Sequence, residues 1–163
     1  MYLNRIPKVE SNEKIDELTN IEAESNEELI AKAKEINEGF DAERHLNESE
    51  YFKVGWVGKE VGYWRKANHI HRWFVDNVQN GVDECEPHIV TKEKLEELLK
   101  AAKASTTPAK AKKALPTQSG FFFGGTDYDE WYFQDNADTV KILEEVLAST
   151  DFEKETVYYC SSW

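Results

Sequence analysis

The residues best suited to bind a small molecule lie close together near the middle of the chain. This stretch holds three cations, an amide, an imidazole and an indole: Arg65, Lys66, Asn68, His69, Arg72 and Trp73. Cationic side chains donate paired hydrogen bonds to carboxylate or phosphate oxygens, and aromatic rings stack on planar groups. These six residues are therefore the candidate binding site, and an anionic small molecule such as a nucleotide is the ligand they suit.

Ion pairs on a helix surface are the alternative explanation for these cations. The chain carries 20 Lys and Arg against 32 Asp and Glu, a net charge of −12, so each cation has acidic residues to pair with. The residue types alone leave both explanations open. A closed pocket lined by Arg65, Lys66, His69 and Trp73, with Asp83 or Asp129 on its wall, would favour a ligand or catalysis. A flat acidic exterior would favour a protein partner.

Histidine and cysteine patterns give little support for a metal site. His69 and His71 lie two residues apart, and on a helix such residues point about 200° apart, so they cannot bind one ion. We expect His71 beside the core and His69 in solvent. Cys85 and His88 offer two zinc ligands where a structural site needs four, and the other thiol, Cys160, is distant in the sequence. The sequence therefore predicts no metal and no cofactor.

Catalytic signatures are also weak. Asp127 and Asp129 could bind a divalent ion together with Asp83 or Glu84, but capping of the helix that follows explains them with fewer assumptions. The glycines around Phe121–Phe123 resemble a phosphate-binding loop, yet they lack its Lys-Ser/Thr pair. The sequence has no Gly-x-Ser-x-Gly elbow and no Cys–His couple with a positioning partner. No catalytic residue is assigned, and an enzyme is the less favoured class.

A long central helix is the element expected to position the candidate site. From Glu60 to Gln79 apolar residues recur at helical spacing, and Asn80-Gly81 supplies a stop signal. We expect its apolar side to be buried against Phe121–Phe123 and a helix over 128–147. The apolar stripe consists of Tyr63, Ala67, Ile70, Phe74 and Val78, with Trp64, His71 and Val75 beside it. Trp64, Ala67, Ile70 and Phe74 are the residues expected to be largely buried.

Local patterns predict the remaining elements. Ser25 caps a helix over 26–41, and Thr91 caps the next one. Alternation over 52–56 predicts a short strand, residues 119–125 a buried strand or packed loop, and the β-branched and aromatic C-terminus a strand. The helix that opens near Thr126 should bury Phe133, Ala137, Val140, Leu143 and Leu147. The predicted class is α+β, a helix-dominated single domain with a small antiparallel or mixed sheet.

Residues 1–24 are predicted to form an N-terminal arm outside the domain of residues 25–163. Apolar spacing over 9–24 is irregular and charge is high, so this segment alone buries too little apolar surface to offset its ordering entropy. We expect it to be mobile, to be cleaved first by a protease and to leave a stable fragment that starts near Ser25. If residues 2–6 pack at all, they should form a short edge element on the sheet or a dimer contact.

Composition excludes several classes of function. No run approaches the roughly 20 apolar residues of a membrane span, and the N-terminus lacks the apolar stretch of a signal peptide. Two cysteines are too few for a disulfide framework. The negative charge opposes binding to duplex nucleic acid, because that affinity comes mainly from neutralised phosphates. We therefore expect a cytoplasmic protein without a membrane or duplex nucleic acid as its direct partner.

Five segments of the chain carry a family resemblance. Residues 63–79 read YWRKANHIHRWFVDNVQ, and they are followed by GVDEC at 81–85, LPTQSGFFFG at 115–124, YDEWY at 128–132 and SSW at 161–163. The set resembles a family of small uncharacterised proteins of tailed bacteriophages and prophages. The resemblance spans residues 60–163 and implies a phage accessory protein made in the cytoplasm of a bacterial host. It implies no mechanism.

The sequence therefore predicts an acidic viral protein that acts by binding. Its partner is a host protein, such as a defence protein with a basic cleft, or an anionic small molecule such as a nucleotide signal. The alternative is a small phage enzyme that acts on a phosphate-bearing substrate, with the 63–77 helix lining its site. Assembly as a homo-oligomer is left open.

Overall fold

A computed structural model describes residues 1–83, 85–120 and 124–162 of the chain. These residues form seven helices, a four-stranded sheet and a two-stranded sheet, which confirms the predicted α+β class. In chain order the elements are β1 (Tyr2–Pro7), α1 (Asn12–Thr19), α2 (Asn26–Ile36), α3 (Ala42–His45), β2 (Leu46–Asn47), β3 (Trp56–Val57), β4 (Lys59–Tyr63), α4 (Asn68–Asn77), β5 (His88–Val90), α5 (Lys92–Ala104), α6 (Pro108–Ala114), α7 (Glu130–Ser149) and β6 (Glu155–Cys160).

The N-terminal strand lies inside the main sheet. The strand order is β4-β1-β6-β5, and every neighbouring pair is antiparallel. The expectation that residues 2–6 would form at most an edge element is therefore wrong. The sequence did not indicate a buried strand here, because two of its buried residues, Asn4 and Arg5, are polar or charged. Whether residues 9–24 are mobile stays a prediction, and they include α1.

Both faces of the sheet are covered, which gives the molecule two apolar clusters. On one face Leu3, Val157 and Tyr159 join the buried residues of α4, α5 and α7. On the other face Ile6 and Tyr158 join those of α1 and α2. Neighbouring residues of β6 thus point to opposite clusters, as the alternation of side chains along a strand requires.

The central helix is shorter than the sequence predicted. Residues 59–63 pair with β1 as β4, and α4 begins only at Asn68. Between them Lys66 has φ 62°, in the left-handed region, where a non-glycine residue interrupts regular structure. Helical spacing of apolar residues from 60 to 67 is therefore coincidental, because pairing with a strand 54 or more residues away decided the conformation. The expected burial of Trp64, Ala67, Ile70 and Phe74 is confirmed, whereas Tyr63, at the start of the predicted stripe, is exposed.

Helix α7 packs through a face turned by one residue from the predicted one. Its buried residues are Tyr132, Asn136, Thr139, Leu143 and Val146, whereas Ala137 is exposed and Phe133, Val140 and Leu147 are half-buried. A polar contact explains the turn, because the buried Trp64 indole donates a hydrogen bond to Thr139 Oγ1 (2.8 Å). Close packing adds to it: a Cβ at Gly62 would lie 2.7 Å from the Ile142 side chain.

The other predicted elements agree with the structure in part. The helix caps at Ser25 and Thr91 are confirmed, because each side chain accepts a hydrogen bond from the backbone N–H three residues later. Helix α2, however, ends at Ile36 rather than near residue 41. The C-terminal strand is confirmed as β6. The prediction of a strand over 52–56 is wrong, since only Trp56 and Val57 of this part of the chain pair with another strand. The expectation for Phe121–Phe123 lies outside the described residues.

Candidate functional site

A pocket of about 290 Å³ lies between the segment that leads into α4, the loop before α7 and the first turns of α7. Two cations, three carboxylates and three aromatic rings line it, together with small and polar residues of the loop. The lining residues are Arg65, Lys66, Asn68, His69, Thr117, Gly124, Gly125, Asp127, Asp129, Trp131, Tyr132 and Asp135. Four of the six residues predicted from the sequence thus share one pocket, and Asp129 is on its wall.

Asn68 holds the loop that forms one side of the pocket. Its Nδ2 donates to the Gly125 carbonyl (2.9 Å), and its Oδ1 accepts from the Gln118 backbone N–H (3.0 Å). The loop also passes close to the left-handed turn, because a Cβ at Gly124 would lie 3.3 Å from the Lys66 carbonyl oxygen. The Asn68 amide is fully used by the protein, so its role is to position the loop.

Arg65 and Lys66 supply the positive charge of the pocket. Both side chains are exposed, and neither forms an ion pair with any residue that the structure describes. Their position just before α4 explains this freedom, since they do not lie on a helix face with acids one turn away. These two cations at one rim are therefore available to an anionic group.

Aromatic rings form a further part of the pocket lining. The Trp131 side chain is 79% exposed, in the first turn of α7, and it lines the pocket. The rings of His69 and Tyr132 lie 4.2 Å apart between centroids, and the Tyr132 hydroxyl donates to the Leu115 carbonyl (2.8 Å). The wall thus has a fixed part, which is His69 with Tyr132, and an accessible indole face on which a planar group can stack.

His69 is buried, contrary to the expectation that it would lie in solvent. Only 2% of the residue is exposed, because the helix turns it toward Tyr132 in α7. Burial lowers the pKa of His69 to about 4, against an opposing interaction with the Asn136 side chain. The imidazole is consequently neutral at physiological pH, and its Nε2 has no hydrogen bond of ordinary geometry within the described parts of the chain.

Three carboxylates form the acidic wall. Asp129 Oδ1 accepts from the Tyr132 backbone N–H (3.1 Å), so Asp129 is itself the N-cap of α7. The prediction that a helix opens near Thr126, with Asp129 as an acid of its first turn, is therefore wrong. Asp127 is exposed. Asp135 is half-buried, and burial together with the nearby carboxylates of Asp138 and Asp129 raises its pKa to about 6. Because carboxylates only accept hydrogen bonds when ionised, this wall suits a group that donates them.

The other two predicted residues lie outside the pocket. Arg72 pairs with Asp76 (Nε to Oδ2, 3.4 Å) and donates to the Thr117 carbonyl (3.2 Å). It therefore supports the loop that carries Thr117. Trp73 is buried, with its ring edge-on to Phe74 at 5.4 Å between centroids, so its indole belongs to the core.

His71 has the core position that was expected. Its Nδ1 lies 2.7 Å from the Tyr159 hydroxyl and its Nε2 3.1 Å from Asp83 Oδ1, and the ring is fully buried. His69 and His71 thus leave the helix in different directions, as the helical geometry requires. Within the described residues, no three His, Cys, Asp or Glu side chains are placed to hold a metal ion.

Sequence reasoning missed the residues of α7 that complete the pocket. The sequence pattern assigns no role to Trp131 or Asp135, because a single apolar residue at a solvent-facing helix position is common on protein surfaces. Asp127 is predicted from the sequence only as a helix-capping or metal-binding residue, whereas Asp129 is also expected on the wall of a ligand pocket. The shared pocket of 65–69 and 127–135 depends on contacts between segments about 60 residues apart, which no local pattern encodes.

No family model, curated protein or solved structure matches this chain. None of the helices in the described segments has the length and apolar character needed to cross a membrane. The function has to be inferred from the chemistry of the pocket and of the surface.

Proposed function

We propose that this protein is a phage accessory protein that binds a small molecule with an anionic group, in the cytoplasm of a bacterial host. The observation that carries the proposal is the pocket that unites Arg65, Lys66 and His69 with Trp131. The two cations at one rim supply charge-assisted hydrogen bonds. The exposed indole and the fixed His69–Tyr132 pair supply ring contacts. The phage origin is supported by the resemblance of residues 60–163.

The acidic wall limits which anions fit. Asp127, Asp129 and Asp135 share the pocket with the two cations, so a highly charged polyphosphate would be repelled from part of it. A ligand with a single anionic group, directed toward Arg65 and Lys66, avoids this repulsion. The proposed ligand is therefore a small molecule of low net charge rather than a polyanion.

Substitution of Arg65 tests the proposal. Native mass spectrometry of the protein purified from bacteria should show a retained small molecule, and Arg65→Ala should lower its affinity about tenfold or more, since a hydrogen bond to a charged group contributes roughly 1.5–3 kcal/mol. The melting temperature should stay nearly unchanged, because Arg65 is exposed and has no ion pair within the described segments.

Lys100→Ala is the matched control, since Lys100 is an exposed cation on α5 outside the pocket. It should change neither the affinity nor the melting temperature. Equal loss of stability and binding in Arg65→Ala would show that this residue supports the fold and would contradict the proposal.

A host protein is a second candidate partner, and a separate surface favours it. Tyr51 is 90% exposed and Phe52 is 71% exposed, in the segment between β2 and β3. Aromatic side chains on a surface of net charge −12 suit a basic partner with an apolar patch. If Tyr51→Ser with Phe52→Ser abolishes copurification of a stoichiometric host protein while Arg65→Ala does not, this second candidate replaces the first.

An enzyme acting on a phosphate-bearing substrate is the competing class. In its favour, the pocket holds a neutral imidazole and a carboxyl group whose pKa is raised to about 6, and such pairs can act in proton transfer. Turnover of a bound ligand, lost in Asp135→Asn with binding retained, would identify an enzyme. Binding without turnover supports the proposed function.

A further inference from the structure

We infer that the ligand is an amino-bearing planar nitrogen heterocycle with an attached anionic group, such as a nucleoside monophosphate with an exocyclic amine. In this arrangement Asp135 accepts hydrogen bonds from the ring edge, Trp131 stacks on the ring face, and Arg65 with Lys66 binds the anion. The inference rests on the proposed function and adds the class of ligand.

Asp135 is the residue that indicates a ligand with hydrogen-bond donors. It lines the pocket and is half-buried, yet its carboxylate has no hydrogen bond to any residue within the described ranges. A partly desolvated carboxylate beside Asp129 and Asp138 is destabilised when ionised, which is why its pKa lies near 6. A ligand that donates two N–H groups from one planar edge would relieve that destabilisation, because a carboxylate accepts such a pair in bidentate geometry.

Trp131 supplies the argument for a planar ring. Its side chain is 79% exposed and lines the same pocket as the two cations, so its ring face is accessible to a bound ligand. Its neighbours His69 and Tyr132 are held ring to ring, with centroids 4.2 Å apart. A heterocycle bound in the pocket has these three rings available for contact.

The charges and the volume set the remaining limits. The two cations and three carboxylates require a ligand with donors at one end and an anion at the other. A volume of about 290 Å³ is at the lower end of ligand pockets, which span roughly 300–1,000 Å³. One ring system with one attached anionic group fits this size, whereas a dinucleotide does not.

Calorimetric titration of the purified protein with matched nucleotides tests the inference. The pairs are AMP with IMP, GMP with IMP, and CMP with UMP, which differ at the amino group, and ribose 5-phosphate serves as the anion without a ring. In at least one pair the amino-bearing member should bind about tenfold more tightly, as expected for one hydrogen bond to a charged group.

Two variants assign the effect to the named residues. Asp135→Asn should abolish the preference for the amino-bearing member, whereas Glu145→Gln removes one exposed carboxylate of α7 outside this pocket and should retain it. A ring stacked on Trp131 should quench tryptophan fluorescence when the ligand binds, and Trp131→Phe should remove most of that quenching. Trp131→Ala should weaken nucleotide binding about tenfold with little change in ribose 5-phosphate binding.

The outcomes separate this inference from the proposed function. Equal affinity for both members of every pair, or for ribose 5-phosphate and the nucleotides, overturns the inference, while dependence of that binding on Arg65 keeps the proposed function. A retained ligand of another chemical class that is lost in Arg65→Ala would likewise overturn the inference and keep the proposed function. If nothing in the panel binds and the purified protein retains no ligand, both are overturned.

Discussion

Glu155 is a buried carboxylate held by several donors. The residue is 3% exposed, and Arg44 binds it through two hydrogen bonds, Nε to Oε1 (2.6 Å) and Nη2 to Oε2 (2.7 Å). His45 Nε2 lies 3.1 Å from Oε1, and the Asp151 backbone N–H donates to Oε2 (2.9 Å). Burial opposes ionisation, but these donors and Arg5 outweigh it and hold the pKa of Glu155 at about 2.

Stability should therefore depend on this residue in acid. The ordinary pKa of a glutamate is 4.5, whereas the pKa of Glu155 in the folded protein is about 2. Its contribution of roughly 3 kcal/mol is therefore present above pH 4.5 and is lost as the pH falls toward 2. Glu155→Gln should lower the free energy of unfolding by about 3 kcal/mol at pH 7. Urea melts from pH 7 to pH 2 measure the difference.

The wild type and the variant should converge in stability at the acid end of this series, because the protonated carboxyl and the amide are both neutral. Glu144→Gln is the control, since that carboxylate is exposed and pairs with the exposed Lys103. An unchanged difference between wild type and Glu155→Gln across the whole pH range would contradict the assignment.

At the scale of elements, the contact between α4 and β6 anchors the candidate site. The Phe74 ring is fully buried and stacks on Tyr159, with centroids 4.0 Å apart and an angle of 11° between the rings. This contact fixes α4 against the sheet, and α4 carries Asn68 and His69 at its first turn. The position of the pocket thus depends on a side chain that does not line it.

Phe74→Ala should lower the free energy of unfolding by about 3–5 kcal/mol, because it removes a fully buried ring and leaves a cavity. Phe52→Ala is the control, since Phe52 is largely exposed and should cost less than about 1 kcal/mol. Urea melts of the two variants give the comparison. A loss under about 1 kcal/mol for Phe74→Ala would show that α4 does not pack as described.

At the scale of the whole molecule, the N-terminal segment ties the two apolar clusters together. It provides Leu3 to one cluster and Ile6, Ile15 and Leu18 to the other, and all four side chains are fully buried. Burial of such side chains contributes roughly 1.5–3 kcal/mol each, which is comparable with the roughly 5–15 kcal/mol net stability of a domain. This arrangement argues against a stable fragment that begins near Ser25.

A chain without residues 1–24 should therefore lack a cooperative unfolding transition, whereas the full chain should show one. Thermal melts followed by near-ultraviolet circular dichroism measure this. Limited proteolysis of the full chain tests the separate prediction that cleavage within 9–24 precedes cleavage within 101–114. A truncated chain that melts cooperatively would show that β1 is dispensable to the sheet.

Local chemistry in the sequence determined the class of fold and several of its boundaries. Ser25 and Thr91 cap helices because a hydroxyl reaches a backbone N–H three residues away. The β-branched and aromatic run at 155–160 becomes a strand. Arg65, Lys66 and His69 could be selected as candidate pocket residues by type alone.

Tertiary structure decided what local patterns could not encode. Residues 59–63 became a strand because β1 pairs with them, and α7 turned by one residue because Thr139 accepts the Trp64 indole hydrogen bond. Trp131 and Asp135 joined the pocket because α7 packs beside the start of α4. In each case the partners are about 55 or more residues apart, so the free energy that selects the conformation comes from contacts that form only in the folded chain.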